Sequence, residues 1–308
     1  MKRLFLAIIG VFAWNAFSQN AVNLTGNESE FKKWSNRSAD VKFLPNGGPD
    51  GKAAFAIDSK KNSVISYNLP VSRYRNKWVV MTGKIKAENI AKAPNPYLGV
   101  KFMINGSEGR IVRFGSYDWT TAASVVYVPE DAKKMIVHIG IQETTGKALF
   151  SDLSISSCKQ PGGENLLPPV ELMKAMICGH GEFLPNGGPN KEYALSFINK
   201  NKDWNMISFP IPAKKVRGHN ILFSAQVKGE GISCNNFWGP FLKISYIDAS
   251  GKEKSFEAKY PNKTDFDWKD IDKEILVPGD AKRVSASIGL LKINGTAKFA
   301  DLTLKLDD

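Results

Sequence analysis

"FLPNGGP" spans Phe43–Pro49, and the same seven residues return at Phe183–Pro189, 140 positions further on. One Pro-Gly turn arises easily by chance; an identical heptamer points to duplication, and the surrounding sequence repeats with it. "SVISYNLP" (Ser63–Pro70) is answered by "NMISFPIP" (Asn205–Pro212), and "KWVVMTGKIKA" (Lys77–Ala87) by "NILFSAQVKGE" (Asn220–Glu230). "YDW" (Tyr117–Trp119) returns as "FDW" (Phe266–Trp268), and "VPEDAKKMIVHIGI" (Val128–Ile141) as "VPGDAKRVSASIGL" (Val277–Leu290). "GKALFSDLSI" (Gly146–Ile155) closes the first copy and "GTAKFADLTL" (Gly295–Leu304) the second. The offset grows from 140 to 149 along the repeat, so nine residues enter the second copy as loop insertions, which cost a chain little.

Each copy alternates apolar and polar residues, as in "VISYNL", "WVVMTGKI" and "LKISYIDA", with many Val, Ile, Phe, Tyr and Trp. "MINGSEGRIV" (Met103–Val112) and "IDASGKEKSF" (Ile247–Phe256) read as hairpins, and no long stretch has helical periodicity. Many short strands between regular turns predict an all-β chain of two tandem β-sandwich, jelly-roll domains. In the heptamer, Pro is expected to fix φ and Gly-Gly to supply positive φ.

The first residues read differently. "MKR" precedes the apolar run Leu4–Ala16, and "AFS" (Ala16–Ser18) puts small residues where a signal peptidase reads them. Residues 1–18 are therefore expected to be a secretory signal peptide, too short for a membrane span, and the mature chain to be exported, extracellular or periplasmic. The domains follow as 19–157 and 164–308, with a linker at 158–163. Loss of Lys2 and Arg3 would lower the formal charge from +12 to +10. The basic residues are scattered, so the charge reads first as a solubilising surface and second as an attraction for acidic glycans; no motif points to nucleic acid. Cys158 and Cys178 flank the inter-domain segment and could bridge it in an oxidising compartment, which would leave Cys234 over; the sequence holds nothing on their geometry.

Signals of catalysis are missing. There is no G-x-S-x-G elbow, H-E-x-x-H or Walker loop, and only His138, His180 and His219 supply imidazole. His138 sits in an alternating strand, and "CGH" (Cys178–His180) lacks a second pair at zinc spacing. No pair of carboxylates stands out as glycosidase machinery. The chain reads as a non-enzyme.

The paired landmarks resemble carbohydrate-binding modules of the galactose-binding-like jelly-roll superfamily, especially families 4, 9 and 22. The resemblance rests on the aromatic-Asp-Trp, the "VP-x-DAK" turn, the "IG[IL]" strand and the closing "F-x-DL-[ST]-[IL]" strand, and it covers roughly 23–156 and 164–306. It implies polysaccharide as the partner. A sugar presents an apolar face for an aromatic ring and a rim of hydroxyls for amides, carboxylates and guanidinium groups. Two modest sites on one chain would gain affinity for a polymer through effective concentration. In the first copy the candidates are Tyr97, Arg113, Tyr117, Gln142 and Glu143. Arg110 and Arg113 cannot both face a cleft from one regular strand, and phase does not choose between them. Glu143 falls where the family 22 pattern carries an acidic residue. In the second copy the candidates are Trp204, Asn236 and Trp238, the latter two within "CNNFWGP" (Cys234–Pro240), where Phe237 and Trp238 could equally cap the core. Lys292 replaces the acidic residue there, so this site is altered, lost or tuned to an acidic sugar.

Trp119 and Trp268, shared by both copies, read as packing, as do Trp34 and Trp78. The resemblance also implies a structural Ca²⁺, with Asp152 and Asp301 as ligands and Asn46 and Asn186 of the heptamer loops nearby. Two further readings stand beside carbohydrate binding. One is a structural or adhesive protein whose sandwiches are spacers or bind protein. The other is a glycoside-active enzyme, which would need two carboxylates roughly 5 to 10 Å apart across a cleft.

Overall fold

The computed structural model describes residues 21–36, 40–95, 98–109, 111–159, 164–177, 180–200, 204–233, 238–260 and 264–307. The proposed leader and the Cys178 half of the bridge lie outside them. The chain divides into two compact units, Met1–Lys159 and Gln160–Asp308, with the division inside the expected linker.

In the first unit, β1 (Val22–Asn23), β2 (Val41–Leu44), β3 (Ala54–Ser59), β4 (Ser63–Leu69) and β5 (Lys77–Ile90) are followed by β6 (Gly99–Ile104), β7 (Ser107–Glu108), β8 (Gly115–Val128), β9 (Met135–Gln142) and β10 (Gly146–Lys159). One sheet runs β2-β3-β10-β5-β8, with β1 added on β10; the facing sheet runs β4-β9-β6-β7. In the second unit, β11 (Gly181–Leu184), β12 (Ala194–Asn199), β13 (Trp204–Ile211), β14 (Asn220–Glu230) and β15 (Pro240–Ile247) are followed by β16 (Glu253–Lys259), β17 (Phe266–Leu276), β18 (Arg283–Leu291) and β19 (Gly295–Leu306). Their order is β11-β12-β19-β14-β17 over β13-β18-β15-β16, the same path strand for strand. Every pairing is antiparallel, as the all-β sandwich expectation requires. Short helices at Glu28–Lys32, Val170–Met176 and Ala213–Val216 fill corners.

Each sandwich encloses its own core. Phe55, Phe102 and Phe150 anchor the first, with Trp34 buried against Phe55 and Tyr67. Phe197, Phe209, Phe223 and Phe299 anchor the second. Both expected hairpins form: Asn105 and Gly106 turn the first with φ of 47° and 81°, and β15 and β16 form the second. These paired positive values match the twist of the flanking strands.

Two details of the sequence reading change. The hydrogen-bonded pair Thr82–Ser154 in β5 and β10 returns as Ser224–Thr303 in β14 and β19, so Val79, not Trp78, corresponds to Ile221. A one-residue slip reverses faces, and this is why Val79 and Ile221 share the core role. Trp78 is fully buried, as expected, but against Tyr127 and outside that core. Second, the heptamer glycines do not supply positive φ: Gly48 lies at φ −92°. They are needed for close approach. A Cβ on Gly47 or on Gly187 would lie 2.5 Å from the Cβ of Leu44 or Leu184, and one on Gly48 would lie 2.3 Å from Ser151 Oγ. The left-handed residues come just after, at Asp50 and Gly51 in one copy and Lys191 in the other.

Candidate functional site

The smaller sheet of each unit has one face in the core and one turned away from it. In the first unit Ile65, Val137, Ile139, Ile141, Val100 and Phe102 face inward. Alternation therefore turns Ser66, His138, Gly140, Gln142, Lys101 and Met103 outward. Strand register arranges these in rows: Ser66–His138–Met103, Val64–Gly140–Lys101, and Gln142 beside Gly99. Ser66 Oγ meets His138 Nδ1 at 2.8 Å, and burial, with Lys134 adding its charge, holds the imidazole pKa below its ordinary value.

The second unit repeats these rows with other chemistry. Ser208 and Ser287 form the 2.8 Å cross-strand bond, and Met206–Gly289–Phe241–Lys259 form the next row. Gly289 answers Gly140, and Phe241 answers Lys101. The middle of this outer face is covered in both copies, since Lys101 is 8% exposed and Phe241 fully buried. Accessible groups lie instead at the sheet end where β9 and β18 finish.

At that end of the first unit, Gln142 is half-buried and Glu143 exposed, with Glu143 in left-handed backbone at φ 51°. Arg113 is half-buried in the segment before β8, and its carbonyl accepts from the Val100 amide at 3.1 Å. Tyr117 turns the other way. Its ring packs on the core, its hydroxyl is buried without a hydrogen-bond partner, and burial raises its pKa strongly. Tyr97 lies outside the described residues.

At the matching end of the second unit, Trp204 opens β13 and is 43% exposed. It pairs with Leu291, whose amide donates to the Gly239 carbonyl at 3.2 Å. Trp238 precedes that glycine and packs against the edge of the core, so the capping reading holds for part of its ring. The same ring has Lys259 Nζ and Lys292 Nζ each 4.9 Å from its centroid. Asn236 and Phe237 lie outside the described residues. The register also aligns Gly99 and Val100 with Gly239 and Pro240, so Trp238 stands where the first copy has Leu98. Lys292 repeats the left-handed backbone of Glu143 at φ 48°. The sequence already pairs these two positions; their shared left-handed backbone is what the structure adds. Trp119 and Trp268, read as packing, are half-buried and belong to neither core cluster.

The proposed calcium positions sit elsewhere, at bulges in the closing strands, where Asp152 and Asp301 have φ of 52° and 48°. In the first copy Lys52 Nζ lies 3.1 Å from both carboxylate oxygens of Asp152. An ammonium thus already neutralises this carboxylate, and the residues do not fit a metal there. In the second copy Glu192 replaces Lys52. Its Oε2 accepts from the Asn190 amide at 2.8 Å, while Oε1 is buried with no hydrogen-bond partner. Among the described residues no group of three or more His, Cys, Asp or Glu side chains converges.

No protein-family model matches this chain, and no curated protein matches it. Similar solved structures include the N-terminal CBM22-1–CBM22-2 tandem domain of a Paenibacillus barcinonensis protein, at 12% identity and a TM-score of 0.35, covering 94% of this chain and 96% of that one. A tandem of CBM51 modules from Streptococcus pneumoniae matches at 13% identity and a TM-score of 0.22, covering 94% of each chain. A xylan-binding domain of CBM 22 covers 42% of this chain and 83% of its own, at 16% identity and a TM-score of 0.34. At such values these likenesses assign no residue a role.

Proposed function

We propose that this chain is an exported, non-catalytic carbohydrate-binding protein, in which one end of the smaller sheet in each unit meets sugar. The observation that carries the reading is Trp204. A 43% exposed indole at a strand start, cross-strand from Leu291, at the same sheet end as a half-buried tryptophan with two lysines over its ring, provides flat apolar surface with a polar border. In the first unit Gln142, Glu143 and Arg113 would supply hydrogen bonds at the corresponding end, with Tyr97 as their aromatic partner. No helix among the described residues is long and apolar enough to cross a membrane. A structural cation is proposed for the second unit alone, where Glu192 and Asp301 occupy the positions that Lys52 and Asp152 fill in the first.

Affinity electrophoresis of the mature protein against a panel of soluble polysaccharides tests the reading. Retardation by at least one polymer, reduced in Trp204→Ala or Glu143→Ala, is expected. Unretarded migration on every neutral and acidic polymer, with the protein folded, would overturn it in favour of a protein-binding or spacer role.

A further inference from the structure

The two sheet ends differ in charge at matching positions. Where the first copy places Leu98 and Glu143, the second places Trp238 and Lys292. Lys292 occupies left-handed backbone, where a long side chain has no conformational reason to be favoured. Its ammonium lies 4.9 Å from the Trp238 centroid, as does that of Lys259 from the neighbouring strand. Lys259 also pairs with Glu257 at 3.0 Å, and Lys243 stands opposite Glu257 in register. Two ammonium groups therefore meet at the Trp238 ring, one of them also paired with Glu257.

We infer that the sheet end of the second unit binds an anionic sugar, a uronate carboxylate or a sulfate ester. The sugar ring would lie against Trp238, and its anion would meet Lys292 and Lys259. This rests on the carbohydrate-binding reading and adds the ligand's charge class to it. A cation over an indole is already oriented by the ring's π-face. An anion arriving at the rim completes two charge-assisted contacts without ordering a free lysine first. The first copy, with Glu143 at the same position, would repel that ligand. The units are thus built for different sugars, or for different residues along one mixed polymer.

The test uses the full-length mature chain in affinity electrophoresis and calorimetry. The probes are polygalacturonate, dextran sulfate, unsubstituted dextran and xylan, and polyglutamate as a non-sugar polyanion. Each is run at low and at roughly threefold higher salt. The expected result is binding to polygalacturonate or dextran sulfate, weakened by salt. Lys292→Glu, which installs the residue of the first copy, should reduce affinity by roughly fivefold or more. Trp238→Leu, again the first-copy residue and milder to the core than alanine, should reduce it further. The responding polymer tells carboxylate from sulfate. Binding of neutral polymers alone, unaffected by Lys292→Glu, would overturn this inference and leave the carbohydrate reading standing. Equal binding of polyglutamate, insensitive to Trp238→Leu, would reduce the face to non-specific charge attraction and also overturn it. Silence on all five polymers would remove both readings.

Discussion

Glu143 and Lys292 share one left-handed backbone position and carry opposite charges. An L side chain there costs on the order of 1 kcal/mol relative to glycine, partly offset because glycine loses more freedom on folding. Replacing either residue by glycine should therefore leave stability unchanged or raise it by up to about 1 kcal/mol, while weakening binding by that copy. Urea unfolding checks the first half and affinity electrophoresis the second; a clear loss of stability would make these side chains structural. The other charge reversal gives a second stability prediction. Lys52 and Asp152 form a partly exposed pair, with side chains 54% and 30% accessible, worth about 0–1 kcal/mol. Glu192 instead leaves a buried carboxylate oxygen without a protein partner. Glu192→Lys should rebuild the first copy's pair with Asp301 and raise the melting temperature of the second unit. If a bound cation serves wild type there, chelator will lower that melting temperature in wild type and not in Glu192→Lys. A chelator effect in both proteins would place the metal elsewhere.

Strands β9 and β18 each carry one glycine that the sheet cannot do without. A Cβ on Gly140 would lie 2.2 Å from the Ser63 carbonyl oxygen, and one on Gly289 2.2 Å from that of Asn205. Alanine at either position should cost about 2–3 kcal/mol by forcing β4 from β9 or β13 from β18. The same strands differ at His138, which the second copy replaces by Ser287. Burial depresses the folded-state pKa of His138, so the unfolded chain binds that proton more readily. Its contribution to stability is full above about 6.5, the usual histidine value, and is lost as pH falls through the lower folded value. The first unit's melting temperature should fall with pH across that window, and His138→Gln should flatten the fall. These strands also show what was legible beforehand. "MIVHIGI" and "VSASIGL" declare their faces by alternation, and hairpin and sandwich follow. The register of β5 against β14 did not, because "WVVM" offers apolar residues to both faces and only the threonine–serine cross-strand pair settles the phase. The site was less legible still: Gln142 and Glu143 in one copy, and Trp204 and Trp238 in the other, were identifiable as residue types, but their placement at matching ends of the two smaller sheets depends on strand order. Tyr117 had the right chemistry and the wrong direction, since the turn of its side chain into the core is a tertiary outcome.

At the scale of the whole molecule, duplication has kept the strand path and let the sheet ends diverge. The second copy extends the two-residue β7 into the seven-residue β16, and with it gains Lys259. Growth of an edge hairpin is inexpensive because it adds paired backbone without disturbing the core. Among the described residues each unit buries its own set of phenylalanines in its own core cluster. Two independent cooperative transitions should follow, each with the enthalpy of a domain of about 140 residues. Calorimetry of wild type, Gly140→Ala and Gly289→Ala decides this. Each substitution should move one transition downward and leave the other within about 1 °C, with the pH effect of His138 riding only on the transition that Gly140→Ala moves. A single transition displaced by either substitution would mean that the units fold as one body. The separate tuning of their sheet ends would then need to preserve a shared cooperativity that neither core, as built, supplies.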